Sequence, residues 1–557
     1  MINDEIKGTY DVVKYHSHAF VQASIDRLCA MARVYGLQTP LPNNAKVLEI
    51  GCAAGGNIIS QAINYPNSSF VGIDLSGEQV KIGNEAIEQS GLKNIKLLQM
   101  DATKAPDELG GNEFDYIICH GVYSWVPDFV KKAIFGIGAK LLSPKGVMMV
   151  SFNVYPGWKY KEPIRDFMRF ASREIDFEKD PENKLDLSLA ALSFQSAMYR
   201  IMPGCKNLPK LKTISECNLN NINEIDSLKK TNRSYLLHEY LEIFNDPCYL
   251  VDFVADASDN GLEYIEDIAL HYDYSEIAND TVLEFAKSYF KDRIAKDQMF
   301  DFLYSTQFRF ALLTKEQNKN DLVFSYDEID KNIKDLHISL NAKYEHLRVL
   351  TKGLAMERLA NALVDAYPNS LSIKEASGLI DKGSLSEHIF DINSALNGGV
   401  NFHTKAQKVL KYEVGKTRVI ASYKSFIKYL ARDKNHILGF VTPQNKSANF
   451  GELDYEFLLL LDGKNTKSEI AKKLVEKCQK QNITLNENKD GKIISYKTVA
   501  EQQAYFNKTC VLNELNFNGA SYYRASLAEG GAAAKISAPE LKSKSLKASA
   551  DAKYICK

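Results

Sequence analysis

No excess of one charge marks this chain. Its 69 Lys and Arg stand against 70 Asp and Glu, a formal net charge of −1 over 557 residues. A global field that would gather nucleic acid is missing, and we expect no nucleic-acid partner. No apolar run approaches the ~18 residues that cross a bilayer, so we expect no membrane span. MINDEIKGTYDVVKYHSHAF lacks a basic stretch followed by an apolar one, so no secretory leader is expected. The nine cysteines (Cys29, Cys52, Cys119, Cys205, Cys217, Cys248, Cys478, Cys510, Cys556) form no CxxC pair and no Cys/His ligand spacing. They read as reduced thiols of a cytoplasmic protein with no bound metal. Tryptophan is scarce, with Trp125 and Trp158 alone. What remains is ordinary: 45% hydrophobic and 25% charged residues, as in globular proteins, in a chain long enough for three or four domains.

Short β-branched runs alternate with helical periods over 43–160. AKVLEI, SFVGIDL, IKLLQMD, FDYIICHG and GVMMVSFN read as strands, with helices between them. This pattern predicts an α/β, doubly wound parallel sheet with helices on both faces. Before it, residues 1–42 read as a helical lid, with a helix over 18–35 closed by Gly36 and the Pro40/Pro42 turn. After it the texture is mainly helical. We expect the sheet domain to extend to about 205, accessory domains over 206–320 and 321–430, and a winged-helix-like module over 431–528. The tail 529–557, rich in Ala, Ser and Lys, reads as disordered.

The stretch LEIGCAAGGN, 48–57, follows the first strand and opens a helix. Gly51, Ala53 and Gly56 have the spacing of a dinucleotide fingerprint. Glu49, Gly51, Ala53 and Gly55 have the spacing of an S-adenosylmethionine loop. Such a loop brings backbone close to a ligand beside a helix N-terminus. Asp74 ends the second strand, and a ribose diol suits it under either reading. Glu49 discriminates, because an acid there favours a cationic methionine end, where a dinucleotide brings pyrophosphate. Asp101, ending the third strand, can accept from an adenine amine. The Ala53 methyl would press on a pyrophosphate, which S-adenosylmethionine lacks. The series points to methyl transfer over hydride transfer.

The fourth and fifth strands run into HGVYSWVPD and SFNVYPGWKY. Both tryptophans follow these ends, with Tyr123, Tyr155 and Tyr160 nearby, and an aromatic wall there suits a cationic or aliphatic substrate. Tyr123, Trp125, Asn153, Tyr155 and Trp158 are the substrate-positioning candidates. Tyr123, His120 and Asn153 are candidate proton acceptors for an amine nucleophile. In YHSHAF, Tyr15 or Phe20 would close a lid over the cofactor.

VLEIGCAAGG, VGIDLS, LLQMDA and FDYIICHGVYSWV resemble the successive motifs of class I S-adenosylmethionine-dependent methyltransferases. The leader YDVVKYHSHAFVQASIDRLCAMARVYGL, the segment NVYPGW and YLLHEYLEIFNDPCYLVDFVADASDNGLEYI resemble bacterial members with a methyltransferase regulatory domain. That group includes rickettsial-type protein lysine methyltransferases acting on outer-membrane proteins. The resemblance covers about 8–160 and 215–300 and thins beyond 320. It implies a Rossmann-like fold and S-adenosyl-L-methionine as cofactor. It implies contact by Glu49, Gly51, Ala53, Gly55, Asp74, Asp101 and the residues after Ile118. Tyr15, Cys52, Leu75, Ala102 and His120 complete the expected cofactor set. A protein substrate, such as an outer-membrane protein precursor, and a homodimer are the partners it implies. The alternatives are a small-molecule or glycan-precursor methyltransferase and a cofactor-binding regulator without turnover.

Overall fold

The computed structural model describes residues 8–9, 12–13, 16–201, 219–269, 284, 288–289, 292–396, 398–408, 414–415, 418–433, 437–442, 445, 447–448, 450–489, 492–511 and 524–527. Tyr15 and the tail from 528 lie outside them.

The predicted strands form where the β-branched runs fall: β1 (Lys46–Ile50), β2 (Ser69–Asp74), β3 (Ile95–Gln99), β4 (Phe114–Cys119) and β5 (Leu142–Asn153). Each of these five pairs parallel to its neighbours in the order β3-β2-β1-β4-β5. Helices Ile59–Asn64, Gly77–Ser90 and Asp128–Leu141 make crossovers. Ser76 caps the second of these with its side chain, and Gly91 ends it at φ +71, the left-handed stop that glycine tolerates.

The accessory segment is not a separate unit. Its strands β6 (Leu262–Asp267) and β7 (Phe308–Lys315) complete a seven-stranded sheet, order β3-β2-β1-β4-β5-β7-β6. β7 pairs antiparallel to β5, Met148 opposite Leu313 and Ser151 opposite Phe310. An unpaired β5 would leave a long apolar edge; β7 covers it.

Residues 321–430, read from sequence as helical, also contain a three-stranded sheet, β10-β8-β9, made of β8 (His337–Leu340), β9 (Leu371–Ser372) and β10 (Val400–His403). These strands are two to four residues long, too short for their alternation to be seen in sequence. Farther on, Thr466 and Glu469 form a capping box at helix Lys467–Lys480, as its sequence signals require. A three-stranded antiparallel sheet follows. One apolar core joins Ala23, Val47 and Tyr116 to Phe402, Phe426 and Phe506. Helix Ala421–Leu430 packs on helices Gly77–Ser90 and Ile59–Asn64. The later segments are therefore fastened to the seven-stranded sheet and its helices rather than strung behind it. Among the described residues no helix is long and apolar enough to cross a membrane.

Candidate active site

The strand order reverses at β1 and β4, and ligands of open α/β sheets bind beyond the carboxyl ends of such strands. The chain turns sharply there. Gly51 has φ +69, its N–H donates to the Ile73 carbonyl at 2.8 Å, and a Cβ would stand 2.3 Å from Val122 Cγ2. Ala53 has φ +47, a left-handed geometry that costs a side-chain-bearing residue about 1 kcal/mol. Its N–H donates to Asp74 Oδ2 at 2.8 Å, and Ser76 N–H donates to Asp74 Oδ1 at 2.9 Å. Asp74 thus ties the loop to the next helix. Gly56 leaves room for the leader, because a Cβ there would lie 2.2 Å from the Ser17 carbonyl oxygen.

Glu49 is the penultimate residue of β1, and its carboxyl is buried, 4% exposed. Asn57 Nδ2 donates to its Oε1 at 2.8 Å, while Oε2 is buried with no hydrogen-bond partner. Burial pushes its pKa up to about 8, the Asp74 charge adds to the rise, and the Asn57 bond opposes it. An acceptor in this state fits a buried cation. Asp101 lies beyond β3, beside Asp74, and its Oδ1 accepts from Thr103 N–H at 2.9 Å and Thr103 Oγ1 at 2.8 Å. Leu75 and Ala102 are half-buried beside these acids. Cys52 is different: its thiol packs inward, and a Cβ at Gly72 would lie 2.7 Å from Sγ. Any contact Cys52 makes with a ligand would therefore come from its backbone in the loop.

Phe20 covers His120 with ring centroids 3.8 Å apart, and Phe310 stacks on His120 at 5.7 Å. The Phe20 half of the lid expectation thus has a physical contact, but the lid is extended chain at that point rather than helix. Its helix spans only Ile25–Val34. Gly121 N–H donates to Ser151 Oγ at 2.8 Å, and that oxygen is 2.8 Å from His120 Nδ1. Burial lowers the His120 pKa to about 3. The imidazole is therefore neutral and too weak a base to take a proton from an amine.

Tyr123 is 1% exposed and packs against Phe135 and Phe253 at 5.3 Å and Phe152 at 6.1 Å. Burial drives its pKa upward. It is a core residue, and the expectation that it lines a substrate wall or accepts a proton is corrected. The short helical turn at Tyr123–Trp125 sends the Tyr123 ring inward.

Trp125 and Trp158 meet edge to face at 6.4 Å. Trp158 is 2% exposed and its Nε1 has no partner; Asn153, also 2% exposed, has an unpartnered Nδ2. Lys161 Nζ lies 4.5 Å from the Trp158 ring centroid. Tyr155 is half-buried and donates its hydroxyl to Glu162 at 2.6 Å. Lys159 Nζ sits 4.9 Å from the Tyr155 ring and 5.4 Å from the Tyr249 ring. These faces already hold ammonium groups. Sequence reasoning missed Asn57, although it lies inside the quoted loop, and Tyr249, whose partner Tyr155 is 94 positions away with no spacing to link them. Among the described residues no group of three metal-ligating side chains is present.

A family model described as a methyltransferase domain matches residues 41–168, and one described as a predicted methyltransferase regulatory domain matches 232–315. The second span includes the two strands that finish the sheet. Protein RP789 of Rickettsia prowazekii is 32% identical over 399 residues, 70% of this chain and 68% of that protein. Protein RP028 of the same organism is 34% identical over 258 residues, 46% of this chain and 96% of that protein. The structure of PKMT2 from Rickettsia typhi, solved in complex with AdoHcy, aligns with a TM-score of 0.71 at 23% identity. That alignment covers 89% of this chain and 98% of PKMT2.

Proposed function

This chain belongs to the class I S-adenosylmethionine-dependent methyltransferases that carry a methyltransferase regulatory domain, and we propose that it N-methylates lysine side chains of a protein. The methyl donor is S-adenosyl-L-methionine, which supplies an electrophilic methyl on sulfonium. Glu49, through its unpartnered oxygen, would take the ammonium of the methionine end. Asp74 would hold the ribose and Asp101 the adenine amine.

The observation that carries the lysine reading is the buried and half-buried aromatic cluster that follows β4 and β5. There the Trp158, Tyr155 and Tyr249 faces are already occupied by the chain's own Lys161 and Lys159 ammonium groups. The fold likeness to PKMT2 supports the same reading. Methyl transfer to an amine needs its lone pair, and deprotonating lysine at pH 7 costs about 4–5 kcal/mol. His120 and Tyr123 offer no base. Desolvation against the rings must therefore lower the lysine pKa, and alignment supplies much of the rest.

The test is a tritiated-methyl assay with the purified chain and cell lysate, resolved by size, with labelled peptides mapped. Label on protein lysine is expected. Label in small metabolites alone overturns the lysine reading in favour of a small-molecule or glycan-precursor enzyme, and no label at all favours a regulator without turnover.

A further inference from the structure

Two distant segments meet over the glycine loop. Ser17 bridges in parallel to Leu438, its N–H donating to the Ile437 carbonyl at 2.9 Å, and its Oγ accepts from Gly56 N–H at 2.8 Å. Ser447 Oγ accepts from Ala19 N–H at 2.8 Å and donates to the Ala19 carbonyl at 3.1 Å. Between them lies Asn445, 1% exposed and left-handed at φ +59. Its Nδ2 donates to Asn57 Oδ1 and to the Phe20 carbonyl, each at 2.8 Å, and its Oδ1 accepts from Ser60 Oγ at 3.3 Å.

Asn57 is 4% exposed, and its Oδ1 also accepts from Phe20 N–H at 3.3 Å. An amide whose oxygen is gripped by two donors has its NH2 direction fixed. That NH2 points to Glu49 Oε1 at 2.8 Å. The other Glu49 oxygen is left free of partners. Asn57 therefore selects which carboxylate oxygen is used up and which faces a ligand.

We infer that Asn445 is a positioning residue for the cofactor, acting through Asn57 to hold Glu49 against the ammonium of the S-adenosylmethionine amino-acid end. The inference rests on the reading of Glu49 given under Proposed function. It makes the cofactor site incomplete without a segment 388 positions beyond Asn57. A network of this kind is worth more than its separate bonds because each member fixes the next.

The test is calorimetry on the full chain with two probes. S-adenosylhomocysteine carries the amino-acid end; 5′-methylthioadenosine keeps the adenosine and lacks that end. Asn445→Gly suits the left-handed backbone and deletes the side chain. We expect it to weaken S-adenosylhomocysteine binding about tenfold and to leave methylthioadenosine binding unchanged. Asn445→Asp keeps the Ser60 contact but turns an oxygen toward Asn57 Oδ1, and makes the same comparison if the glycine variant is unstable. Combined with Glu49→Gln, Asn445→Gly should add no further loss, since both act on one interaction. Equal weakening of both probes means that Asn445 only fastens the loop, and overturns the inference. Unchanged S-adenosylhomocysteine binding in Asn445→Gly, with a loss in Glu49→Gln, overturns the inference while the Glu49 reading stands. No loss in Glu49→Gln itself overturns that reading, and the inference with it.

Discussion

Glu49 and Asp26 are both buried carboxylates, 4% and 5% exposed, held in opposite ways. Asp26 Oδ2 accepts from His403 Nδ1 at 3.1 Å, and Oδ1 accepts from Thr404 N–H at 3.0 Å and from the Thr404 hydroxyl. His403 Nε2 in turn lies 2.9 Å from Ser339 Oγ. An Asp–His–Ser row is the arrangement a hydrolytic triad uses. Yet Ser339 is 6% exposed, and the cavity beside the cluster is about 20 Å³, enough for roughly one water. The row joins β8 and β10 to helix Ile25–Val34. Glu49, by contrast, keeps an oxygen with no partner. A fully satisfied buried polar cluster fastens the fold; an unsatisfied one leaves room for a ligand to complete it.

Breaking the first cluster should have the largest effect. Asp26→Ala leaves His403 and Thr404 without their acceptor and should cost about 3–5 kcal/mol in urea unfolding. Binding of S-adenosylhomocysteine by the protein that remains folded should be unchanged, and a selective loss of binding would collapse the contrast. Glu49→Gln should do the reverse: affinity falls about ten- to a hundredfold, with the ligand-free fold no less stable than the parent.

The two acids also give opposite pH signatures. Burial opposes ionisation of Asp26, but His403 and Thr404 outweigh it and hold the pKa below the usual aspartate value. Its contribution is present above about pH 4 and lost as pH falls through the folded value. The Glu49 pKa stands at about 8, raised, so its carboxyl is best tolerated below the usual glutamate pKa and the ligand-free protein loses stability as pH rises toward 8. Melting temperatures across this range should show that slope in the parent chain and not in Glu49→Gln. Affinity for the cationic cofactor end should strengthen over the same rise, because binding requires the ionised acid.

Trp158→Phe removes an indole N–H that has no partner. It should raise KM for a protein substrate a few-fold with cofactor affinity unchanged; lost cofactor affinity would move Trp158 to the cofactor side. Ala53→Gly should have the smallest effect. Relief of the left-handed alanine, offset by glycine's unfolded entropy, leaves a gain of up to about 1 kcal/mol, read as a small rise in melting temperature.

The parallel strands and the glycine loop were legible because their cause is local. β-branched runs, turn glycines and an acid after a strand act within a few residues of where they stand. Glu49 and Asp74 could be singled out by their charge at fixed positions beside the loop and at a strand end. Tyr123 was misread because strand-end aromatics look alike until the turn at Tyr123–Trp125 sends one ring into the core and leaves Trp125 half-buried. β6 and β7 were hidden because an edge strand is defined by the neighbour it covers.

The sequence by itself determined the methyltransferase sheet, the cofactor class and the acids at the strand ends, since short-range sterics and charge type specify them. The tertiary structure alone decided that Asn445 reaches Asn57, that the regulatory segment finishes the sheet, and which buried polar atoms stay unsatisfied. Those facts depend on which surfaces meet after collapse, and hydrogen bonds between residues hundreds of positions apart leave no periodicity or spacing in the chain.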